Sequence, residues 1–351
     1  MVSSLPRLRK PPRISLALQG GGAHGAFTWG VLDAFLEDGR YRFDGVSGTS
    51  AGAMNAVVLA HGLMQGGRDG AREALETFWT AVAKSVPFEL AVPTGDGKGI
   101  STSPALSFLL DLTHYFSPYQ LNPFDLNPLR DVVAAQIDFE RLRRRSPVHL
   151  FIAATHANTG VLRLFTDREL SVDAVLASAC LPKLHRAIEI DGEPYWDGGY
   201  SANPAVFPLF YECVARDILL VLLAPPTLGE TPRTAREIQQ RAMEIGFNNA
   251  FQREMRMLAH AREFVARSWW PLGRLERRLK QMRLHSIEAD AHIGALPYES
   301  KLAANLGFFH ALRDMGRARA RGWLETRHAD VGRISTLDLA AAFGGHGTPR
   351  V

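Results

Sequence analysis

A serine between two glycines is the first residue in this chain whose type and spacing could support chemistry. Gly48-Thr49-Ser50-Ala51-Gly52 follows a short apolar segment and precedes a run of helical periodicity. This is the nucleophile-elbow pattern, in which a sharp strand-to-helix turn needs small neighbours and leaves the serine hydroxyl exposed. The amino end of the helix that follows favours developing negative charge. The pattern predicts that Ser50 is a nucleophile; the alternative is a serine that only caps the helix.

A glycine-rich loop lies between another predicted strand and helix, with the sequence Gly20-Gly21-Gly22-Ala23-His24-Gly25. Consecutive glycines let backbone N–H groups point at an oxyanion without obstruction by side chains. The same residues match the dinucleotide-binding spacing Gly-x-Gly-x-x-Gly, with Asp44 about 20 residues further on. Because the next strand ends in the serine motif rather than in a ribose-binding turn, an oxyanion hole of Gly20, Gly21 and Gly22 is favoured.

A serine nucleophile needs a base that accepts its proton. Asp197 ends a predicted hairpin and is followed by Gly198 and Gly199, so the backbone can bend sharply there and aim a carboxylate. The alternative is an aspartate that only stabilises its own turn. The histidines offer further candidates, namely His24, His61, His149, His156 and His185.

Strands and helices alternate around these motifs. Apolar segments predict strands at 14–19, 42–46, 149–155, 161–165 and 217–223, the last taken as the final buried strand. Helical periodicity predicts helices at 24–38, 66–84, 231–268, 272–283 and 301–326. Gly39 is expected to end the first helix, and Asp191-Gly192 to form a two-residue hairpin turn. The order of elements indicates an α/β fold with parallel strands.

The three motifs, taken in order, resemble those of the patatin-like phospholipase family, as found in its bacterial members. The resemblance covers roughly residues 14–210 and includes the small-residue segment 176–182. It implies a patatin-like α/β/α sandwich with a mostly parallel central sheet. It also implies a Ser–Asp dyad without a catalytic histidine, in which Ser50 is the nucleophile, Asp197 the proton acceptor and the loop 20–22 the oxyanion hole.

The remaining positions of the three motifs match the family with one departure. The supporting residues are His24, Gly25, Gly48, Gly52, Gly198 and Gly199. Family loops commonly carry Arg or Lys where His24 stands. Because a histidine can lose its charge near neutral pH, its help to the oxyanion is expected to depend on pH.

The same reasoning divides the chain into three parts. Residues 1–13 are predicted to be a disordered tail, 14–225 the catalytic domain, and 226–351 a mostly helical region packed on it. Within the catalytic domain, segment 85–128 contains six prolines and several apolar residues that look exposed. A long irregular segment of this kind is usually functional, so we predict a lid there.

Composition excludes several classes of protein. The chain has 351 residues, of which 46% are hydrophobic and 22% charged, as in ordinary folded proteins. A net charge of +4 is too small to indicate nucleic-acid binding. Two cysteines cannot build a disulfide framework or a cysteine-rich zinc site, so a reducing compartment is expected. We also expect neither a metal nor a cofactor. The longest apolar run, 218–224, is far shorter than the ~20 residues of a membrane span. We therefore expect a cytoplasmic protein whose only membrane contact is peripheral.

Trp269 and Trp270 precede a basic amphipathic segment, 272–283, which is typical of a helix at a membrane interface. The alternative is a surface helix that packs its leucines on the core.

The expected function is hydrolysis of lipid carboxylic esters, of phospholipase A or lysophospholipase type, through an acyl-enzyme. The alternatives are an acyltransferase that uses the same acyl-enzyme, a dinucleotide-dependent oxidoreductase, and a lipid-binding module without catalysis.

Overall fold

A computed structural model describes residues 11–85, 115–224, 231–267, 273–294 and 298–344, with the short pieces 91–93, 100–102, 112–113, 269 and 296. Its strands are β1 (Arg13–Leu18), β2 (Arg42–Thr49), β3 (Ala91–Pro93), β4 (Ile100–Thr102), β5 (His149–His156), β6 (Leu162–Thr166), β7 (Ile188–Ile190), β8 (Glu193–Asp197), β9 (Asp217–Leu222) and β10 (Arg283–Glu288). β3 and β4 form a separate hairpin, and the other eight strands form one sheet.

The α-helices of the described residues are α1 (Gly25–Asp38), α2 (Ala51–Ser85), α3 (Pro118–Leu121), α4 (Pro128–Gln136), α5 (Phe139–Arg145), α6 (Val172–Ser178), α7 (Phe207–Glu212), α8 (Ala235–Arg267), α9 (Arg274–Gln281), α10 (Ala291–Gly294), α11 (Leu306–Arg327) and α12 (Leu339–Phe343). Two 3₁₀ turns lie near the glycine loop, namely the loop turn Gly22–His24 and the C-terminal turn Tyr298–Leu302.

The main sheet is mostly parallel, as predicted. Its order is β10-β9-β1-β2-β5-β8-β7, with β6 also paired to β5. The first five strands of this order run parallel, whereas β6 and β8 are antiparallel to β5 and β7 is antiparallel to β8. The carboxyl ends of β1 and β2 therefore lie at the same edge of the sheet, where the glycine loop and the serine motif begin.

Helices cover both faces of the sheet. Along β9, Leu219 and Val221 pack into one apolar core, and the alternate residues 218, 220 and 222 pack into a second. The first core includes aromatic side chains of α1, α2 and α11, namely Phe27, Trp29, Phe78, Trp79 and Phe309. The second is built from α7, α8, α9 and α12. This confirms the α/β/α arrangement with a helical C-terminal region.

The register of β5 decides where the two candidate catalytic residues meet. β2 ends with Thr49 opposite Ala153, and β8 ends with Asp197 opposite Ala154. β6 occupies the other edge of β5 over the same residues. Since β6 takes one edge of β5, β2 and β8 both pair with its other edge. There the end of β2 meets the end of β8. Ser50, which follows Thr49, is thereby delivered to Asp197.

Several local expectations are confirmed. Gly39 ends α1 with a φ of 69°, and Asp191 and Gly192 make the β7–β8 turn with positive φ angles. Non-helical φ and ψ angles at Gly66 and Gly67 divide α2 into two helices, so the separate helix predicted over 66–84 is confirmed, although it begins after these glycines.

Other expectations are wrong or lie outside the described residues. β10 follows the predicted last strand, so the C-terminal region completes the sheet as well as packing helices on it. Only Leu284 and Ile287 of its six residues are apolar, and it directly follows a helical pattern, so its periodicity does not indicate a strand. Of the predicted tail, 1–10 lies outside the described residues, and Arg13 already begins β1. The predicted lid spans 85–128, and most of its residues 86–114 also lie outside the described residues.

Candidate active site

Ser50 lies at the sharp turn between β2 and α2. Its φ of 53° is in the left-handed region, where residues other than glycine are uncommon. The turn leaves no room for side chains on its neighbours. A Cβ on Gly48 would stand 2.5 Å from the Gly52 carbonyl oxygen, and one on Gly52 would stand 2.2 Å from the Leu18 carbonyl oxygen. The Ser50 N–H donates to the Ser178 hydroxyl at 2.9 Å, which holds this backbone in place.

Asp197 is completely buried at the end of β8. Its Oδ1 accepts a hydrogen bond from the Gly199 N–H at 2.7 Å. Its Oδ2 has no partner of full hydrogen-bond geometry among the described residues. Burial raises the pKa of Asp197 to about 7, although the Gly199 N–H and the Ser50 hydroxyl both act to lower it. A carboxyl with this pKa beside a serine hydroxyl can act as a general base near neutral pH.

The two glycines after Asp197 are required by close approach. A Cβ on Gly198 would stand 2.2 Å from the Ala153 carbonyl oxygen, and one on Gly199 would stand 2.1 Å from the ring of Phe247. Phe247 belongs to α8, and its ring also lies 4.6 Å from that of Tyr200. A helix of the C-terminal region therefore covers the turn that aims the carboxylate.

The glycine loop offers backbone donors beside Ser50. The Gly20 N–H donates to Asn203 Oδ1 at 2.7 Å, so it is used within the protein and is not one of the free donors expected from the sequence. Gly20 instead gives close approach, since a Cβ there would stand 2.9 Å from the Ser50 Cβ. The N–H groups of Gly21 and Gly22 have no acceptor among the described residues. These two remain as candidate oxyanion donors.

Polar side chains that the motifs did not reveal hold this loop. Gln19 Oε1 accepts hydrogen bonds from the N–H groups of Leu223 and Ala224 at 2.6 and 2.9 Å. Its Nε2 donates to the Asn203 carbonyl oxygen and to Asn248 Oδ1. Gln19 thus joins the ends of β1 and β9 to α8. The signal for it in the sequence is a polar residue directly after a buried strand.

His24 is buried beneath the loop and does not contact the reacting groups. Its Nε2 lies 2.8 Å from the Ser300 hydroxyl, and its ring meets the edge of Phe308. Burial, helped by the charge of Lys301, lowers the pKa of His24 to about 3. The ring therefore stays neutral near physiological pH, and the pH dependence expected for it is wrong.

The other histidines are placed away from the serine and the aspartate. His156 Nε2 lies 2.7 Å from Glu193 Oε2, and His61 accepts a hydrogen bond from the Asp138 N–H. In the described part of the chain, none of the five histidine candidates (His24, His61, His149, His156 and His185) makes a hydrogen bond to Ser50 or Asp197. This geometry favours the carboxylate as the group that takes the serine proton.

The dinucleotide interpretation has no support in the structure. Asp44 is near the start of β2, at the edge of the sheet opposite the glycine loop. Its carboxylate accepts hydrogen bonds from Arg13 and from the N–H groups of Val214 and Ala215, so it is occupied within the fold. Among the described residues, no group of three or more His, Cys, Asp or Glu side chains could hold a metal ion.

Comparison with known proteins identifies the family. The family model described as "Patatin-like phospholipase" matches residues 16–210. The chain belongs to this family. A curated relative, "Uncharacterized protein YjjU" of Escherichia coli strain K12, is 25% identical over 328 residues, which cover 91% of this chain and 82% of the relative. A solved structure, "Crystal structure of VipD from Legionella pneumophila", covers 88% of this chain and 67% of that one, with 17% identity and a TM-score of 0.35. Membership places the protein among lipid acyl hydrolases.

The basic helix proposed for membrane contact lies away from Ser50. α9 leads into the start of β10, whereas Ser50 follows the carboxyl end of the parallel strand β2, so the two occupy opposite edges of the sheet. Within α9, Leu279 is buried, and the Arg278 side chain donates to the carbonyl oxygens of Phe210 and Cys213. Trp269 is 82% exposed, and Trp270 lies outside the described residues. No helix of the described chain is both long and apolar enough to cross a membrane.

A second exposed apolar cluster lies close to the site. We call it the aromatic surface, and its members are Tyr115, Phe116, Tyr119, Phe124 and Leu126. Arg186 anchors it, because its guanidinium donates to the carbonyl oxygens of Tyr119 and Pro123. The Arg186 carbonyl oxygen accepts from the Cys180 thiol, and the Cys180 carbonyl oxygen accepts from the Asp197 N–H at 2.8 Å. A short chain of hydrogen bonds thus connects the aromatic surface to the candidate base.

Proposed function

We propose that this protein hydrolyses carboxylic esters of lipids through an acyl-enzyme on Ser50, with Asp197 as the base. The observation that carries the proposal is the buried Asp197 carboxyl beside the Ser50 hydroxyl, with its pKa raised to about 7. At neutral pH a substantial fraction of this carboxyl is ionised, and it is basic enough to accept a proton. Family membership supplies the lipid class of substrate.

In the first half of the reaction, the Ser50 oxygen attacks the ester carbonyl carbon as its proton passes to Asp197. The carbonyl oxygen becomes negatively charged and faces the N–H groups of Gly21 and Gly22. When the tetrahedral intermediate collapses, the bond to the alcohol oxygen breaks. The alcohol leaves with the proton from Asp197, and the acyl group stays on Ser50 as an ester.

In the second half, water takes the place of the alcohol. It attacks the acyl carbon while Asp197 accepts its proton, and the same donors stabilise the second oxyanion. Collapse returns the proton to the Ser50 oxygen and releases the fatty acid. One carboxylate therefore serves both steps, as microscopic reversibility allows.

We further propose that lipid reaches the site across the aromatic surface. Tyrosine and phenylalanine side chains suit the boundary between apolar chains and headgroups, because each ring buries a large apolar area and tyrosine keeps a polar end. Within residues 115–126 the surface carries a single acid, Asp125, and the basic Arg186 donates hydrogen bonds to its backbone. This combination fits a layer of lipid phosphates and acyl chains better than it fits water.

Labelling with a fluorophosphonate tests the function. The purified chain should be labelled at Ser50, as mapped by peptide mass spectrometry, and should cleave nitrophenyl esters. Ser50→Ala should lose labelling and about 10⁶-fold in turnover while keeping its circular dichroism spectrum. Labelling at another serine would contradict the proposal. New ester formed on addition of glycerol would identify transfer to an alcohol instead of hydrolysis.

A set of variants tests whether the base is Asp197 or a histidine. Asp197→Asn should nearly abolish ester hydrolysis, because a neutral amide cannot accept the Ser50 proton. His156→Ala and His185→Ala should keep substantial activity. In the wild type, turnover should rise with pH through about 7, as Asp197 ionises. A folded histidine variant as inactive as Asp197→Asn would refute the dyad.

A further inference from the structure

The C-terminal turn Tyr298–Leu302 is seated directly against the glycine loop. Gly22 has a φ of 57°, and a Cβ on it would stand 2.1 Å from the Lys301 carbonyl oxygen. The Ser300 hydroxyl lies 2.8 Å from His24 Nε2, and both side chains are buried. Two contacts from one turn therefore fix the backbone that presents the N–H groups of Gly21 and Gly22.

The same turn brings a positive charge to the loop. The Lys301 Cβ lies 3.4 Å from the position that a Cβ on Gly22 would take, and the charge of Lys301 acts to lower the pKa of His24. Glu244 of α8 is the acid that faces Lys301, and its charge acts to raise the pKa of Lys301. Burial nevertheless lowers the pKa of Lys301 below its usual value. A cation in a partly desolvated place acts more strongly on a nearby charge than one in water.

We propose that the Ser300–Lys301 turn positions the oxyanion donors, and that the Lys301 ammonium adds the positive potential which stabilises the oxyanion. This inference rests on the proposed function. The loop itself carries no cation, because His24 stays neutral. Lys301 supplies one from beyond the region that the family model matches. Since charge develops on the substrate oxygen only in the transition state, Lys301 should affect turnover more than substrate binding.

The pH dependence of turnover gives the proposal a distinct signature. The titratable groups that face Lys301 in the described residues are His24 and Glu244, with Glu299 on its own turn. The strand β4, which also packs on this turn, has no titratable side chain. His24 is already neutral at these pH values. A fall in turnover at alkaline pH would therefore report the loss of the Lys301 proton.

The test compares Lys301→Met, Lys301→Arg and Ser300→Ala, with the exposed Lys280→Met as the matched control. Turnover and KM are measured on a soluble nitrophenyl ester, together with the rate of Ser50 labelling by a fluorophosphonate. Lys301→Met should lower turnover and labelling about tenfold, with KM changed less than about twofold. Ser300→Ala should lower turnover less, and Lys280→Met should not lower it. Lys301→Arg should restore turnover and remove the alkaline fall, because arginine keeps its charge.

The outcomes separate this inference from the function it rests on. Wild-type protein that is not labelled at Ser50 would refute the proposed function. Wild-type labelling with an equal rate in Lys301→Met would refute only the role of Lys301. If Lys301→Met fails to fold, Lys301→Arg decides: an alkaline fall identical to that of the wild type overturns the proposal.

Discussion

At the scale of single residues, the site depends on the carboxyl of Asp197, whose burial favours its neutral, protonated form. Asp197 has no exposed surface, and one of its oxygens lacks a partner of full hydrogen-bond geometry in the described chain. The same burial that raises its basicity also makes its ionised form costly. Catalytic power and stability are therefore opposed at this position.

This opposition predicts that Asp197→Asn is more stable than the wild type at alkaline pH. An unfolded aspartate titrates near 3.8, whereas Asp197 in the fold titrates at about 7. The folded state thus holds a proton that the unfolded state has lost, and this contribution to stability disappears as the pH rises from about 4 to about 7. Above pH 7 the variant should gain up to about 4 kcal/mol, because each tenfold change in proton affinity is worth ~1.4 kcal/mol.

Urea unfolding of both proteins at pH 4, 6 and 8 measures the effect. The free-energy difference should grow across this series, and the exposed Asp69→Asn should show no such trend. A variant less stable than the wild type at pH 8 would mean that the Asp197 carboxylate is stabilised by the fold.

The residue types and spacings predicted Ser50, Asp197 and the glycine loop, because each motif is local in the chain. They did not predict Ser178, Asn203 or Lys301. Ser178 is separated from Ser50 by 128 positions, and Ser300 from His24 by 276. Such contacts form only when the chain folds, so the sequence around a single polar residue does not reveal them.

At the scale of elements, the elbow between β2 and α2 is held by the last turn of α6. The Ser50 N–H, which lies ahead of the first turn of α2, finds its acceptor in the Ser178 hydroxyl. This bond joins the nucleophile to the segment that also supports Asp197, since the Asp197 N–H donates to the Cys180 carbonyl oxygen. α6 thus helps to set the distance between Ser50 and Asp197, the proposed nucleophile and base.

We predict that Ser178→Ala lowers both stability and turnover. Loss of the acceptor leaves the Ser50 N–H without a partner, which costs about 1–3 kcal/mol. Ser47→Ala is a matched control, because Ser47 is equally buried but its hydroxyl has no hydrogen-bond partner among the described residues. That variant should be neutral or slightly more stable. Thermal melting and turnover on a soluble ester measure the two effects, and equal behaviour of the pair would contradict the role of Ser178.

Elements whose apolar residues follow a single helical or strand periodicity were predicted from the sequence. β10, whose residues follow neither periodicity clearly, was missed. The apolar run of β9 and the glycine stop of α1 are unambiguous. β10 has only six residues, of which Arg283, His285, Ser286 and Glu288 are polar, and its amino end continues the basic pattern of α9. Its strand conformation follows from pairing with β9, which is a tertiary effect that periodicity cannot register.

At the scale of the whole molecule, exposed aromatic side chains of the described residues lie at different distances from the site. The aromatic surface is joined to Asp197 through Arg186 and Cys180. The carboxyl end of α8 carries another exposed aromatic residue, Phe264. Since Phe247 of the same helix covers the catalytic turn, Phe264 lies about 25 Å further along the helix axis, at 1.5 Å per residue. Of the aromatic surface and Phe264, we therefore propose that the aromatic surface brings lipid to Ser50.

This arrangement predicts a selective defect in Phe124→Ser. Its hydrolysis of phospholipid in mixed zwitterionic and anionic vesicles should fall about tenfold, the effect of losing roughly 1.4 kcal/mol of apolar burial at the lipid surface. Hydrolysis of a soluble nitrophenyl ester should not change. Phe264→Ser is the matched control, because Phe264 is 80% exposed against 83% for Phe124. A parallel loss in both variants, or a loss on the soluble ester, would contradict the assignment.

The place of β1 in the sheet has a consequence for the synthesis of the protein. β1 is made well before β9, yet it lies between β2 and β9, and its residue Ile14 pairs with Asp217. At about 5–20 residues per second, a ribosome needs roughly 10–40 s to reach that partner. During this time the edge of β1 that will pair with β9 has no partner strand, and we expect a chaperone to shield it. A nascent chain halted at residue 210 would contain both Ser50 and Asp197 and still, we expect, have no activity.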